Sequence, residues 1–249
     1  MKSSNTLLIL LFISQSLLLR AQEKYTKYHD NGKLAVEGFI KDGMKEGECI
    51  WYYEYGNINI KGNYTTNLRN GLFEYYFPNG NIEIKGYYNN DTLVGEWLYN
   101  FENGTPKTKC QYKNGTLNGK GMKFHSNGHL RQVGNYVDRL KEGEHVYFYD
   151  TDTIEVIANY HNDSLHGEFA QLYENGAIYC IGNYKNGSEF GRFDIWYENG
   201  NLKQTGVILY GMEEMHHKIY TRDGKFGFEG EFVSGLYHGT WKHFSVIDG

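Results

Sequence analysis

The sequence predicts an all-β protein, an elongated antiparallel β-meander built from 24-residue β-hairpin repeats. Three observations carry this. Glycines recur at Gly47, Gly71, Gly95, Gly119, Gly143, Gly167, Gly191 and Gly239, with only Met215 breaking a series free of insertions and deletions. Glycine makes up 31 of 249 residues, so eight hits in nine at one phase are not chance. Within each unit two β-prone runs flank a turn dipeptide, as in Gly71-Leu-Phe-Glu-Tyr-Tyr-Phe, Pro-Asn-Gly, Asn81-Ile-Glu-Ile-Lys-Gly-Tyr-Tyr. Finally, helical periodicity is absent and only two prolines occur, which leaves about 18 to 19 strands as the expected content.

Taken in chain order, the first element is a leader. Lys2 precedes an apolar run from Leu7 to Leu19, broken by Ser14, Gln15 and Ser16, and Arg20-Ala21-Gln22 follows. A charged start, a short apolar segment and a small residue at a plausible cut describe a signal peptide over residues 1–21, cleaved near Ala21-Gln22. The run is too short to anchor in a bilayer, and the three cysteines, Cys49, Cys110 and Cys180, all fall beyond the place where a lipid anchor needs one. The expected product is therefore periplasmic or secreted, with no transmembrane segment in the mature chain. Without Lys2 and Arg20 the basic count falls from 25 to 23 against 30 acidic residues, and the net charge moves from -5 to -7. An acidic chain without a basic stripe does not neutralise phosphates, so nucleic acid is not an expected partner. The cysteines occupy different places in the repeat, and the nearest two lie on the order of 20 Å apart at two strands per repeat, so no intrachain disulfide is expected.

The second element is the repeat array over residues 22–249, about nine units and a terminal strand. Asn79-Gly80, Asn103-Gly104, Asn127-Gly128, Asn175-Gly176 and Asn199-Gly200 read as type I′ hairpin turns, with positive φ at both residues. The register that follows places Glu74 opposite Lys85, Leu72 opposite Tyr87, Lys218 opposite Glu229 and His216 opposite Glu231. Opposite charges meet and apolar meets apolar, an arrangement that a one-residue slip destroys. On the first face the same register pairs Trp51 with Ile60, Tyr53 with Ile58, Tyr75 with Ile84, Phe77 with Ile82, Tyr147 with Val156 and Tyr149 with Ile154. Phe73, Phe169 and Phe193 there lie across from Gly86, Gly182 and Gly206, so each ring covers bare strand backbone.

The pattern Gly-x-Trp-x-x-Tyr-x-x-x-Gly at Gly95-Glu96-Trp97 through Gly104, with Gly-x-Tyr as in Gly62-Asn63-Tyr64, resembles the MORN repeat. It looks closest to the bacterial variant grouped with YwqK-family "antitoxin" proteins, and the likeness covers residues 23–249. The resemblance implies a twisted single-layer antiparallel sheet that serves as an interaction scaffold, with no shared catalytic residues and no cofactor. Lipid or protein binding is what it implies for partners. Departures are Asp152 and Asp248 in the turn column, Met215 for the leading glycine, and Gly121, His145 and His217 where Trp or Phe is usual.

Candidate chemistry yields to structural readings. Glu48, Glu96, Glu144 and Glu168 form a carboxylate column, but Asn63, Gln111, Asn159 and Asn183 lie opposite and offer each an amide. His125 with His129, and His216 with His217, lack a recurring metal-ligand spacing, and neither Cys-x-x-Cys nor His-Glu-x-x-His occurs. No catalytic, cofactor or metal residue is therefore assigned, and an enzyme is not expected.

One anomaly stands above the scaffold. On the second face most repeats show polar pairs, yet the middle ones place Met122 opposite Val133, Val146 opposite Ile157, Ala170 opposite Ile181 and Leu172 opposite Tyr179, flanked by Phe124 and Phe148. The first face turns polar in the same stretch, at Gly121, Lys123, His125, Gln132 and Gln171, as though burial changed sides. Contiguous apolar area on a solvated face points to a protein partner, to self-association or to internal packing. A second function class uses the column Tyr52, Tyr76, Phe124, Phe148, Trp196 and Tyr220 to stack a glycan, a lipid or another extended polymer at about 9 to 10 Å intervals. Lys203 opposite Trp196 and Arg131 opposite Phe124 would then touch ligand or make cation–π pairs. Neutralisation of a partner, as an antitoxin does, is a third reading and sits poorly with an export signal.

Overall fold

The computed structural model describes residues 21–208, 214–233 and 236–243. The expected leader therefore lies outside the described residues except for Ala21, and so does Asp248. Twenty-one strands run from Glu23–Tyr28 to Leu236–His243 in one antiparallel sheet, and no helix is found among the described residues. Two of them, Met44–Lys45 and Thr116–Leu117, lead into Gly47–Tyr52 and Gly119–Phe124 after a one-residue break. Counted with the strands they lead into, they leave nineteen, as the repeat count predicts. Each strand pairs with its neighbours in sequence and the first does not meet the last, so the sheet is open and single-layered.

The register agrees with the charge pairing along most of each strand and departs from it at the turns. Glu74 faces Lys85, Leu72 faces Tyr87, Tyr75 faces Ile84 and Phe73 faces Gly86. At the turn, however, Phe77 N–H donates to the Asn81 carbonyl at 2.8 Å and Gly80 N–H donates to the Phe77 carbonyl at 2.9 Å. Gly80 has φ +90°, whereas Asn79 is absent from the positive-φ residues. This is a type I turn closed by a left-handed glycine, one residue longer than the expected type I′ turn. The extra residue is absorbed at Glu83, so Tyr76 rather than Phe77 pairs with Ile82, and the shift is gone by Tyr75 and Ile84. For the same reason Tyr52 pairs with Ile58, Phe124 with Leu130, Phe148 with Ile154, Leu172 with Ile178 and Trp196 with Leu202. These replace the expected Tyr53–Ile58, Phe124–Arg131, Tyr149–Ile154, Leu172–Tyr179 and Trp196–Lys203 pairs. Asp152 keeps the turn despite the missing glycine by adopting φ +66° itself.

Type I′ geometry sits at the opposite edge, where one repeat passes to the next. Asn90-Asp91 (φ +47°, +63°), Asp138-Arg139 (+48°, +76°) and Asn186-Gly187 (+51°, +82°) all show it. The leading glycine has a third role. Gly62 faces Phe73 and Tyr64 faces Arg69, so three residues centred on Gly71 bulge against Asn63, and Gly71 takes φ +97°. Successive repeats are then stapled along the turn edge, where the Tyr53, Tyr149, Tyr173 and Tyr197 hydroxyls each donate to a carbonyl 23 residues on, at 2.6 to 3.1 Å.

Every buried side chain among the described residues points to the first face. The core is a line of aromatic rings crossing the sheet: Phe73 meets Tyr88, Tyr88 meets Trp97 and Trp97 meets Tyr112, edge to face at 5.0 to 6.0 Å. A Cβ placed on Gly62, Gly86 or Gly182 would fall inside the ring of Phe73, Trp97 or Phe193, which is why that column is glycine. Cys49, Cys110 and Cys180 lie buried and unpaired on this face, with burial pushing the Cys180 thiol up to about 11.

Candidate functional site

Side chains alternate across the pleat, so one residue per strand builds a row that crosses the second face. From the N-terminal side this row runs Ile50, Lys61, Glu74, Lys85, Leu98 and Lys109, mixed but mainly charged, with Lys85 bridging its row neighbour Glu74 at 2.8 Å and Lys61 and Lys109 reaching out of the row to Glu48 at 2.9 Å and Glu96 at 3.1 Å. It is charged again at the far side, where Asp194 meets Arg192 at 2.7 Å and accepts from Thr205, and Glu229 meets Lys218 at 3.5 Å. Between Lys109 and Asp194 it is apolar for six consecutive strands. Met122 pairs with Val133, Val133 with Val146, Val146 with Ile157, Ile157 with Ala170 and Ala170 with Ile181. The structure thus brings the expected patch into one unbroken stripe, with Phe124, Phe148, Leu172 and Tyr179 beside it toward the turn edge. Ile181 is 42% exposed, and the other five row members are half-buried by their neighbours along the sheet.

Burial does not change sides in this stretch, contrary to the expectation from the polar first face. His145 and Ala158 are fully buried there, and Gln132 is buried beside them. The polar groups satisfy one another: Gln132 Nε2 lies 3.2 Å from His145 Nδ1 and 3.2 Å from the Tyr136 hydroxyl, while His145 Nε2 donates to the Asn135 carbonyl at 2.8 Å. Burial pushes the His145 pKa below its ordinary value, so the ring is held neutral. Gln204 and His217 repeat the arrangement three units later, Nε2 to Nδ1 at 2.5 Å, and burial lowers His217 in the same way. Sequence reasoning missed this pair. Its signal is a Gln thirteen residues before a His, recurring at a separation of 72 residues.

In the carboxylate column Glu48 meets Lys61 and Glu96 meets Lys109 rather than the expected amides, because a long ammonium side chain reaches diagonally across the pair, while Glu144 and Glu168 stand opposite Asn159 and Asn183 as expected. Glu74 sits in the same row as these lysines. Burial alone would raise its pKa, but hydrogen bonds from Lys85 and Tyr76 and the charges of Lys85 and Lys61 outweigh that and hold it below the usual range. His125 bonds the Phe148 carbonyl at 3.0 Å and His129 meets Asp152 at 3.2 Å, so each serves the turn edge separately. Among the described residues no three His, Cys, Asp or Glu side chains converge.

The proposed stacking column lies half-buried along the second face, but Asn100 and Leu172 interrupt it. Tyr52 donates to Glu37 at 2.6 Å and Tyr76 to Glu74 at 2.9 Å, while Tyr220 packs edge to face on Phe226 at 5.5 Å. Trp196 presents its carbonyl to Tyr173. The Tyr52, Tyr76 and Tyr220 side chains are thus engaged with neighbours within the sheet.

No helix among the described residues is long and apolar enough to cross a membrane. Among curated proteins none matches the chain. A chain in the crystal structure of TcdB2-TccC3 aligns with 86% of this one at 10% identity and a TM-score of 0.22, and the alignment spans 14% of that longer chain. The sequence model of the MORN repeat variant matches residues 24–42, 45–65, 69–90, 93–114, 117–138 and 165–186. The first five matches run in succession along the strands that carry the ring core, and the sixth brings the matched share to just over half of the chain. This chain therefore belongs to the MORN repeat variant family.

Proposed function

We propose that the chain is a non-enzymatic, exported scaffold of the bacterial YwqK-like type that joins a second copy of itself through the second-face stripe. The observation that carries this is the order of the row: Lys109, Met122, Val133, Val146, Ile157, Ala170, Ile181, Asp194. A two-fold axis along the strand direction between Val146 and Ile157 sets Val146 on Ile157, Val133 on Ala170, Met122 on Ile181 and Lys109 on Asp194. Over these eight positions apolar side chains meet apolar ones and opposite charges meet at both ends, which is what an isologous contact requires of a single surface; beyond them Leu98 falls on Thr205 and Lys85 on Lys218, which confines the contact to the stripe. Residues 1–21 act as a cleaved leader on this reading and residues 22–249 as the working array; N-terminal sequencing of the exported protein should find Gln22 first, and Met1 retained would refute it.

Replacing Val146 with Thr and Ile157 with Lys tests the contact, because both side chains lie on the second face. The variant should melt within about 0.5 kcal/mol of the parent, as surface changes do, while sedimentation shows monomer where the parent is dimer. A loss of several kcal/mol would instead mark internal packing. A parent that stays monomeric at all concentrations, with the stripe capturing only a different protein, would move the function to hetero-association.

A further inference from the structure

The first face carries a site that its own repeats identify by contrast. Three residues into each hairpin one side chain covers a strand glycine or its neighbour: Phe73, Trp97, His145 and Phe193 do so, and Trp241 covers Gly230. Each inner ring is gripped edge to face by tyrosines of the two adjoining strands, Trp97 by Tyr88 and Tyr112 at 5.0 and 6.0 Å, His145 by Tyr136 and Tyr160 at 5.2 Å each. The equivalent position between Tyr112 and Tyr136 is Gly121. No side chain of that strand supplies the ring, and the Tyr136 ring leans over Gly121 and fills part of the space. A hollow of about 320 Å³ is left, walled by Tyr99, Tyr112, Leu117 and Tyr136, with Cys110 and Gly121 as its floor. That is a volume at the lower end of the range of small-molecule sites. Lys107 and Lys123 line it as well, both exposed, and no carboxylate does.

We propose that this hollow binds a small planar aromatic carboxylate. The ring takes the place that Trp97 and His145 fill in the flanking repeats, edge-on to the faces of Tyr112 and Tyr136, the arrangement aromatic pairs prefer. Its carboxylate faces the ammonium groups of Lys107 and Lys123. The stripe lies on the opposite face, and of its residues Met122 alone also borders the hollow.

Titration calorimetry on the mature chain with three probes tests it: indole-3-acetate, indole and tryptamine, which share one ring system and differ in charge. Indole-3-acetate should bind saturably at one site, indole on the order of tenfold more weakly for want of two solvent-exposed ion pairs, and tryptamine more weakly still. Gly121→Trp supplies the ring covalently. Gly121 is not in the left-handed region, and an added Cβ meets the Cε2–Cδ2 edge of the Tyr136 ring at 2.7 and 3.0 Å, so Tyr136 must turn aside to admit it. This variant should lose indole-3-acetate binding entirely while still unfolding cooperatively. Lys107→Glu with Lys123→Glu, at exposed positions that leave the fold intact, should reduce indole-3-acetate to the affinity of indole or below. The proposal is overturned if neither indole nor its acetate binds saturably, if tryptamine binds as tightly as the acetate, or if the double lysine variant leaves affinity unchanged.

Discussion

His145 shows how one residue is accommodated where the repeat asks for an apolar ring. Folding holds its imidazole neutral, because burial penalises the charged form and Gln132 offers Nδ1 a hydrogen that protonation would oppose. The folded pKa is therefore lower than the unfolded value of 6.5. The stability this ring contributes is fully present above 6.5 and is lost as pH falls from there through the depressed folded value, since the unfolded chain takes up the proton first. Lys141, close enough to act on the same ring, lowers the pKa further. Three repeats earlier the two positions hold Ile60 and Phe73, which gives the control. Gln132→Ile with His145→Phe should match the parent within about 1 kcal/mol at pH 7.5, because both partners of a buried pair are replaced together. At pH 5 the double variant should melt above the parent, and parallel melting curves of the two proteins across that range would show that His145 does not titrate on unfolding.

Two kinds of hairpin alternate along the array, and they set what was legible at the level of elements. The strands, their order and their mid-strand pairs were readable because glycine, charge and apolar columns all repeat in one phase. Turn type was not, since Asn-Gly occurs both as the centre of a type I′ turn and as the last two residues of a type I turn with a left-handed glycine. Only loop length separates these, and the compensating bulge at positions such as Glu83 leaves Glu74 opposite Lys85 in either case. The apolar stripe was readable from pair chemistry, whereas the Gln132–His145 pair and the hollow at Gly121 depend on diagonal contacts that a strand-by-strand register does not display. The relocated type I′ turns make a prediction. Arg139 holds φ +76° where other repeats place Gly43, Gly115 and Gly187. Arg139→Gly should stabilise the protein by about 0.5 to 1 kcal/mol by relieving that conformation. Gly71→Ala, which imposes a side chain at φ +97° inside the bulge, should destabilise it by about 1 to 2 kcal/mol. Equal and opposite shifts are not required; a stabilising Gly71→Ala in urea unfolding would contradict the bulge.

At the scale of the molecule a linear array has no centre of its own, because each repeat touches only its neighbours. The stripe supplies one, since it occupies the middle strands and its charged ends differ in sign. Lys109 and Asp194 stand seven strand steps apart on one row, about 33 Å at 4.7 to 4.8 Å per step, so they cannot interact within a chain. In the proposed two-fold arrangement a partner copy brings them together. Each also has a local counter-ion, Glu96 for Lys109 and Arg192 for Asp194, so each single change also costs the monomer its local pair, which melting of the variants under monomeric conditions reads separately. Lys109→Asp then sets like charges against each other at both ends of the dimer, and Asp194→Lys does the same with the opposite sign. Each single variant should weaken self-association on the order of tenfold, at a few tenths to 1 kcal/mol for each end, and the weakening should fade as salt rises. Carrying both changes restores opposite charges at both ends, so the double variant should recover most of the lost affinity. Sedimentation equilibrium of the four proteins at low and high salt reads this directly. Additive loss in the double variant would mean that the two residues act separately, and the two-fold arrangement would fall with it.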